Sequence, residues 1–322
     1  MPARTLAAIA ATLIVATTAC GQVMLRWGWT EGRELVYDTE QRLAQQIDGP
    51  SDSSTEWTIR YRVRQVVKAV DAQGYATVEQ TYQSGRIEAS ENNGPKLVYD
   101  SSKDAEQDRA HRLIAPFAAF IGKTITFEVG PEGEVRRVTG ASRILDDALA
   151  SVSGDLAAMA TIAMYRQALS DEGLRRQLES ALRIVPDKPV RRGESWTVTV
   201  DQPSPVGVVR SETEYTLERL GRARDGAQPV SIEARGKLSK PGGEGDGPAG
   251  IGAMLEVKLI DSKIDGDIEF VAGPDAGWIQ RSSYSVSSEW ELLGLLGGGP
   301  DAKTTQSMRQ SATMTLVSAS GG

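Results

Sequence analysis

Trp57-Thr58-Ile59-Arg60-Tyr61-Arg62-Val63-Arg64 is the stretch that decides the fold class of this chain. Trp57, Ile59, Tyr61 and Val63 recur at every second residue, with Thr58 and three arginines between them. A period of two belongs to a strand, so the aromatic and aliphatic residues share one face and Arg60, Arg62 and Arg64 share the other. The arginine row could receive an anionic head group or a partner's carboxylates. The expected reading is plainer, a solvated strand face paired with acidic residues on the neighbouring strand.

Outward from this strand the same pattern continues. Residues 37–47 read as a strand, separated from it by the polar turn Gly49-Pro50-Ser51-Asp52. Asp71-Ala72-Gln73-Gly74 turns the chain into another strand over 75–82, and Asn92-Asn93-Gly94-Pro95 marks a further turn. Upstream, Leu25-Arg26-Trp27-Gly28-Trp29 alternates and reads as a strand. Over 103–120 the period changes to helical, with Ala105, Arg109, Leu113, Phe117 and Phe120 in register and Pro116 as a break. Strands resume over 124–129 and 134–138.

Two phrases occur twice. Phe127-Glu128-Val129-Gly130-Pro131-Glu132-Gly133 resembles Phe270-Val271-Ala272-Gly273-Pro274-Asp275-Ala276-Gly277, and Glu31-Gly32-Arg33-Glu34-Leu35-Val36 is echoed by Arg192-Gly193-Glu194-Ser195-Trp196-Thr197-Val198. Related β-rich halves are therefore expected over 20–141 and 190–322. Between them, 142–189 carries helical signals: Ser142 and Ser170 as caps, Leu174, Leu178 and Leu182 at every fourth residue, and Pro186 and Pro189 as stops. The predicted fold is α+β, with two related antiparallel, curved β-sheet halves and the central helices packed against them.

In the second half, 211–220 and 229–237 read as a hairpin through Arg224-Asp225-Gly226. Residues 240–252 form a glycine-rich loop. Ile260 to Phe270 alternate with Asp261, Lys263, Asp265, Asp267 and Glu269, although Asp265-Gly266 could instead be a tight turn. The last strands fall at 278–290 and 306–317, around an apolar loop at 292–296.

The chain carries 36 basic and 43 acidic residues, a formal net charge of −7. Such a surface repels nucleic acid, which needs clustered Lys and Arg. Residues 1–19 read as a signal peptide, with Arg4 before an uncharged run at 6–16 that is too short to span a membrane. Cys20, the only cysteine, follows Thr17-Thr18-Ala19. It is either the lipidated first residue of a bacterial lipoprotein or incidental to ordinary cleavage nearby, and Thr17 stands where such signals usually hold Leu. Export to the periplasm or cell envelope is expected on both readings, and one cysteine leaves no intramolecular disulfide.

No cofactor or metal site is expected. Gly245-Asp246-Gly247-Pro248-Ala249-Gly250 matches Gly-x-Gly-x-x-Gly, but it holds a proline and lacks the strand-to-helix setting that phosphate binding needs. Asp261, Asp265, Asp267 and Glu269 alternate with isoleucines, as an outward strand face does. His111 is the single histidine and reads as a lone exposed residue of a short helical pattern, since a hydrolytic triad needs its histidine positioned by other groups and zinc usually needs more than one nitrogen or sulfur ligand. A carboxylate pair assembled only by the fold stays open, and with it a hydrolase.

The leading expectation is a non-enzymatic envelope protein that binds a hydrophobic ligand or a protein partner. It rests on the uncharged segment 156–165, with Leu156, Met159, Ile162, Met164 and Tyr165 as ligand-binding candidates, and on the loop at 292–296. The alternatives are a structural or assembly module of the envelope and the carboxylate-dependent hydrolase.

Leu182-Arg183-Ile184-Val185-Pro186 leads into Val190-Arg191-Arg192-Gly193-Glu194-Ser195-Trp196. This resembles a family of uncharacterised secreted bacterial proteins, common in planctomycetes, in which a leucine-rich helix and a proline precede Val-x-x-Gly-Asp-x-Trp. Glu194 takes the place of the Asp. Phe120-Ile121-Gly122-Lys123-Thr124-Ile125-Thr126-Phe127 with Gly133-Glu134-Val135-Arg136-Arg137-Val138-Thr139-Gly140, and Leu25-Arg26-Trp27 with Gly32 and Tyr37, are similar to it as well. The resemblance implies an exported, duplicated, β-rich architecture and supplies no catalytic residue.

Overall fold

The structure, a computed structural model, describes residues 21–49, 52–103, 111, 113–150, 165–204, 207–240, 255–273, 276–294 and 303–321. In chain order the first half holds β1 (Gln22–Val23), β2 (Glu34–Asp48), β3 (Ser53–Val70), β4 (Ala76–Glu91), β5 (Leu97–Asp100), α1 (Ala115–Ala118), β6 (Thr124–Val129) and β7 (Val135–Thr139). Then come α2 (Ala141–Leu149) and α3 (Asp171–Leu182). The second half holds β8 (Val190–Arg191), β9 (Ser195–Ser204), β10 (Gly207–Leu220), β11 (Gln228–Ser239), β12 (Leu255–Gly273), β13 (Ala276–Gly294) and β14 (Lys303–Ser320).

All but β1 and β8 belong to one antiparallel sheet, in the order β7-β6-β4-β3-β2-β14-β13-β12-β11-β10-β9, with β5 beside β4. The sheet is not closed. The α+β expectation of two sheet halves with central helices packed against them holds only in part: the protein is mostly antiparallel β with few helices among the described residues, and one sheet runs through both halves. The joint is β14. It lies between β13 and β2, pairing Met314 with Ser282 on one side and with Thr39 on the other.

The halves are nevertheless related. Gly32 N–H donates to Val67 O (2.9 Å) and Val67 N–H to Arg33 O (2.9 Å). In the second half Gly193 N–H donates to Leu217 O (2.7 Å) and Leu217 N–H to Glu194 O (3.0 Å). The register slips by one residue just after both contact points, between Val67 and Ala69 and between Leu217 and Arg219. Bulges of this kind bend a strand and raise its twist, so their recurrence gives both halves the same local curvature. The order β7-β6-β4-β3-β2 thus recurs as β13-β12-β11-β10-β9.

Each half encloses its own apolar cluster. One is built around Val78, Ile125, Phe127 and Val129, the other around Leu217, Ile232, Phe270 and Ala272, all almost fully buried. Burying each phenylalanine contributes about 2 to 3 kcal/mol. Trp29 and Leu182 pack against both clusters.

The segment holding Trp27 and Trp29 departs from the sequence reading. Beyond β1 it joins no strand, and its alternation comes from docking on turns. Trp27 N–H donates to Pro131 O (2.9 Å), Trp29 Nε1 to Gly130 O (3.0 Å) and Gly28 N–H to Gly277 O (3.0 Å), so the two repeated Gly-Pro phrases meet on one short stretch. The Trp27 ring stands edge-on to Phe270 at 5.5 Å.

Helix α3 starts as its sequence predicts, with Ser170 Oγ accepting from Gly173 N–H (3.1 Å) and Asp171 and Glu172 in its first turn. Two indoles satisfy carbonyls at its far end: Trp27 Nε1 donates to Leu182 O (2.8 Å) and Trp196 Nε1 to Ile184 O (3.0 Å). Ser142 does not cap α2, which begins at Ala141. Instead the Asp171 carboxylate accepts from the Ala141 and Ser142 N–H groups (2.7 and 3.1 Å), and Ser142 Oγ accepts from Asp171 N–H. The helical period over 103–120 yields only α1 and flanking turns among the described residues. Asp265-Gly266 runs straight through β12 as strand.

Candidate functional site

The two faces of the sheet differ in chemistry, and the difference follows from register. On the outward face Arg62 binds Asp38 through two hydrogen bonds (2.8 and 2.9 Å), Arg60 binds Glu40 (2.5 Å) and Glu88 (3.2 Å), and Arg64 binds Glu34 (2.5 Å). The arginine row of β3 is therefore paired with β2 and β4, as its sequence reading expects. Hydrogen bonds from these guanidinium groups hold the Glu34, Asp38 and Glu40 carboxyls below their usual range. Lys96 first and Arg86 second pull Glu88 down to about 2. Asp265, on the corresponding face of β12, binds Lys263 at 2.8 Å.

On the core face, three cross-strand rows run from β12 to β3. They read Ile268–Ser282–Met314–Thr39–Tyr61, then Gly266–Tyr284–Ala312–Gln41–Ile59, then Ile264–Val286–Gln310–Leu43–Trp57. None of the fifteen residues is charged. Directly paired residues share a face, and successive rows lie about 7 Å apart. The row ends are in core: Ile264, Ile59 and Trp57 are buried. The middle, on β13, β14 and β2, is not. Tyr284, Val286, Ala312, Met314 and Leu43 are half-buried, and Gln41 and Gln310 are exposed.

Among the described helices, α1 packs against β4 and α3 against β7. Tyr284 is half-buried in the central stripe, and burial raises its phenol to about 12. Methyl, thioether and phenyl groups there suit an uncharged chain. The Gln41 and Gln310 amides supply donors and acceptors along its length.

Sequence reasoning placed the binding residues elsewhere. Leu156, Met159, Ile162 and Met164 lie outside the described residues, as do Cys20, residues 1–19, the glycine-rich motif at 245–250 and residues 295–296 of the apolar loop; the rest of that loop, Leu292 to Gly294, is instead the end of β13, where Leu292 is buried. Tyr165 is buried, with its ring edge-on to Phe117 at 5.8 Å and Leu145 and Leu149 beside it. His111 Nδ1 accepts from Leu113 N–H (3.3 Å) in the turn before α1. The signal for the central stripe was the alternation Thr39, Gln41, Leu43, Gln45, Ile47 and its counterpart Gln306, Met308, Gln310, Ala312, Met314. Amides at every fourth residue do not stand out in either strand alone.

Two grooves lie away from the stripe. One, of about 490 Å³, is lined by residues including Arg192, Arg219, Ser231, Glu269 and Gln280. The other, of about 480 Å³, runs along 237–240 and 257–262. Each is lined by a single carboxylate, Glu269 or Asp261.

No curated protein matches the chain. Among solved structures it is similar to lipovitellin, described for its lipid–protein interactions, with 8% identity, 91% of this chain and 26% of that one covered, and a TM-score of 0.46. It is similar also to Pseudomonas aeruginosa OccK7 (8% identity, 89% and 100% covered, TM-score 0.24) and to DynF of Micromonospora chersina (11%, 89% and 83%, TM-score 0.15). Residues 73–267, from the turn before β4 to the middle of β12, match a family model, and the chain accordingly belongs to the family of unknown function DUF6263.

Proposed function

We propose that this protein is a non-enzymatic envelope protein that binds an uncharged, elongated hydrophobic ligand along the central stripe of β13, β14 and β2. One observation carries the reading. In a chain with a quarter of its residues charged, fifteen successive cross-strand positions are uncharged, and the middle ones stay partly open although the flanking ones are core. Covering that apolar surface stabilises a complex by about 25 cal/mol per Å² before the costs of association.

Export and anchoring complete the proposal: residues 1–19 direct secretion and Cys20 carries the acyl chains. The hydrolase alternative needs two carboxylates on one groove, whereas Glu269 and Asp261 stand one to each. Native mass spectrometry of the protein incubated with an uncharged diacyl lipid tests the binding. The expected result is a one-to-one adduct that survives buffer exchange, and an apo mass throughout would overturn it. Labelling with a radioactive fatty acid, beside a Cys20→Ala control, tests the anchor.

A further inference from the structure

We infer that β9 is a dimerisation edge, and that two copies of this chain join by pairing β9 antiparallel with β9 about Val198. The inference is independent of the ligand reading. It begins from the internal repeat. β2 and β9 open the two halves from the same turn, yet β2 is paired over Glu34–Asp48 by β14 on one side and over 34–47 by β3 on the other. Among the described residues β9 is paired with β10 alone, from Ser195 to Ser204. Among the described residues the second half thus lacks the strand that the first half has at the equivalent place.

An unpaired edge exposes a row of N–H and C=O groups that recruits another strand unless charge, proline, a bulge or a covering element blocks it. β9 has few of these defences. Ser195-Trp196-Thr197-Val198-Thr199-Val200 is uncharged and rich in β-branched residues. Asp201 is held by Arg210 of the adjacent strand (2.7 Å to each oxygen), and Pro203, which has no N–H, limits pairing to 195–201.

The geometry of the opposite edge selects the partner. β7 is only five residues long, carries Arg136 and Arg137, and is covered by α3, whose Arg175 donates to Val135 O (3.3 Å). A head-to-tail stack of β9 on β7 is therefore blocked, and with it an open filament. A two-fold pair of β9 edges meets no such obstacle among the described residues. Centred on Val198, it sets Thr197 against Thr199 of the other copy, Trp196 against Val200, and Ser195 against Asp201. No like charges meet, and the aromatic–β-branched pair is a favourable one.

The test is sedimentation over a dilution series, using the full chain with Cys20→Ala so that acyl chains cannot hold copies together. The wild-type sequence in that background should show a reversible dimer. T197K/T199K places lysine opposite lysine twice and should give monomer with unchanged far-UV circular dichroism, since both threonines are exposed. T197K/T199E places lysine opposite glutamate and should restore the dimer. A monomer at every concentration, a dimer that ignores the lysine pair, or a charge-matched variant that stays monomeric would each overturn the assignment.

Discussion

Gly32 and Gly193 occupy the same left-handed conformation, φ +82° and +81°, and each donates its N–H to the carbonyl of the strand that follows its own in its half, Val67 or Leu217. Neither has an atom within 4 Å of where a Cβ would stand, so conformation alone asks for glycine. Ala at either place costs about 1 to 2 kcal/mol. Gly32→Ala and Gly193→Ala should therefore lower stability by similar amounts in chemical denaturation. A cost of several kcal/mol at one site and none at the other would break the equivalence.

Much of this fold was legible in sequence, and the reasons are physical. The period of two in Trp57–Val63 is imposed by one buried face, and the two Gly-Pro phrases recur because both hairpins must turn sharply. The Leu25–Trp29 alternation misled, since docking between two turns also buries every second residue. The single sheet was hidden because β14 pairs with residues more than 250 positions away, at Thr39, and no local pattern encodes that partner. The candidate stripe was hidden for the same reason: Gln310 has meaning only beside Leu43 and Val286.

Gly277 tests the convergence on the tryptophan segment. Its φ is +140°, and a Cβ there would overlap Gly28 N and Arg26 O, backbone that cannot swing aside. Gly277→Ala should cost about 3 kcal/mol or more and shift tryptophan emission to the red. Trp27→Phe keeps the ring contact with Phe270 but loses the bond to Leu182 O, so it should cost about 1 kcal/mol. Equal effects of the two changes would mean that the close approach is unimportant.

The ionic face makes an acid-limb prediction. Glu88 is lowered to about 2 from 4.5 by Lys96 and Arg86, so its contribution is present above about 4.5 and is lost as pH falls toward 2. Partly exposed pairs contribute little each, about 1 kcal/mol or less. Glu88→Gln should flatten the stability profile in that window and leave stability near pH 7 changed by no more than this amount. A profile unchanged between pH 5 and 2 would show that the ladder adds nothing.

The basic limb tests the dryness of the stripe. Burial raises Tyr284 from 10 to about 12, which means that the folded protein holds a phenolic proton the unfolded chain has released. Stability from this group is complete below about 10 and falls as pH rises through 12. Tyr284→Phe should remove that part of the alkaline loss. In difference absorbance the Tyr284 phenol should ionise late, and ionisation near 10 would mean that the stripe is wet.

The stripe itself is tested by one charge placed on either side of the same strand. Gln310 is exposed, lies between Leu43 and Val286, and belongs to the uncharged row; Ser311, one residue on, lies between Arg42 and Ser285 on the ionic face. Gln310→Glu adds no bulk, so the fold should survive, but a ligand laid over β14 would then have to cover a carboxylate. Leaving a charge unpaired under apolar atoms costs more than 1.4 kcal/mol, a tenfold loss of affinity. Lipid retention in native mass spectrometry should thus fall at least tenfold in Gln310→Glu and hold in Ser311→Glu. Equal retention by both would remove the stripe as the site, and equal loss by both would make the effect one of net charge and not of the face.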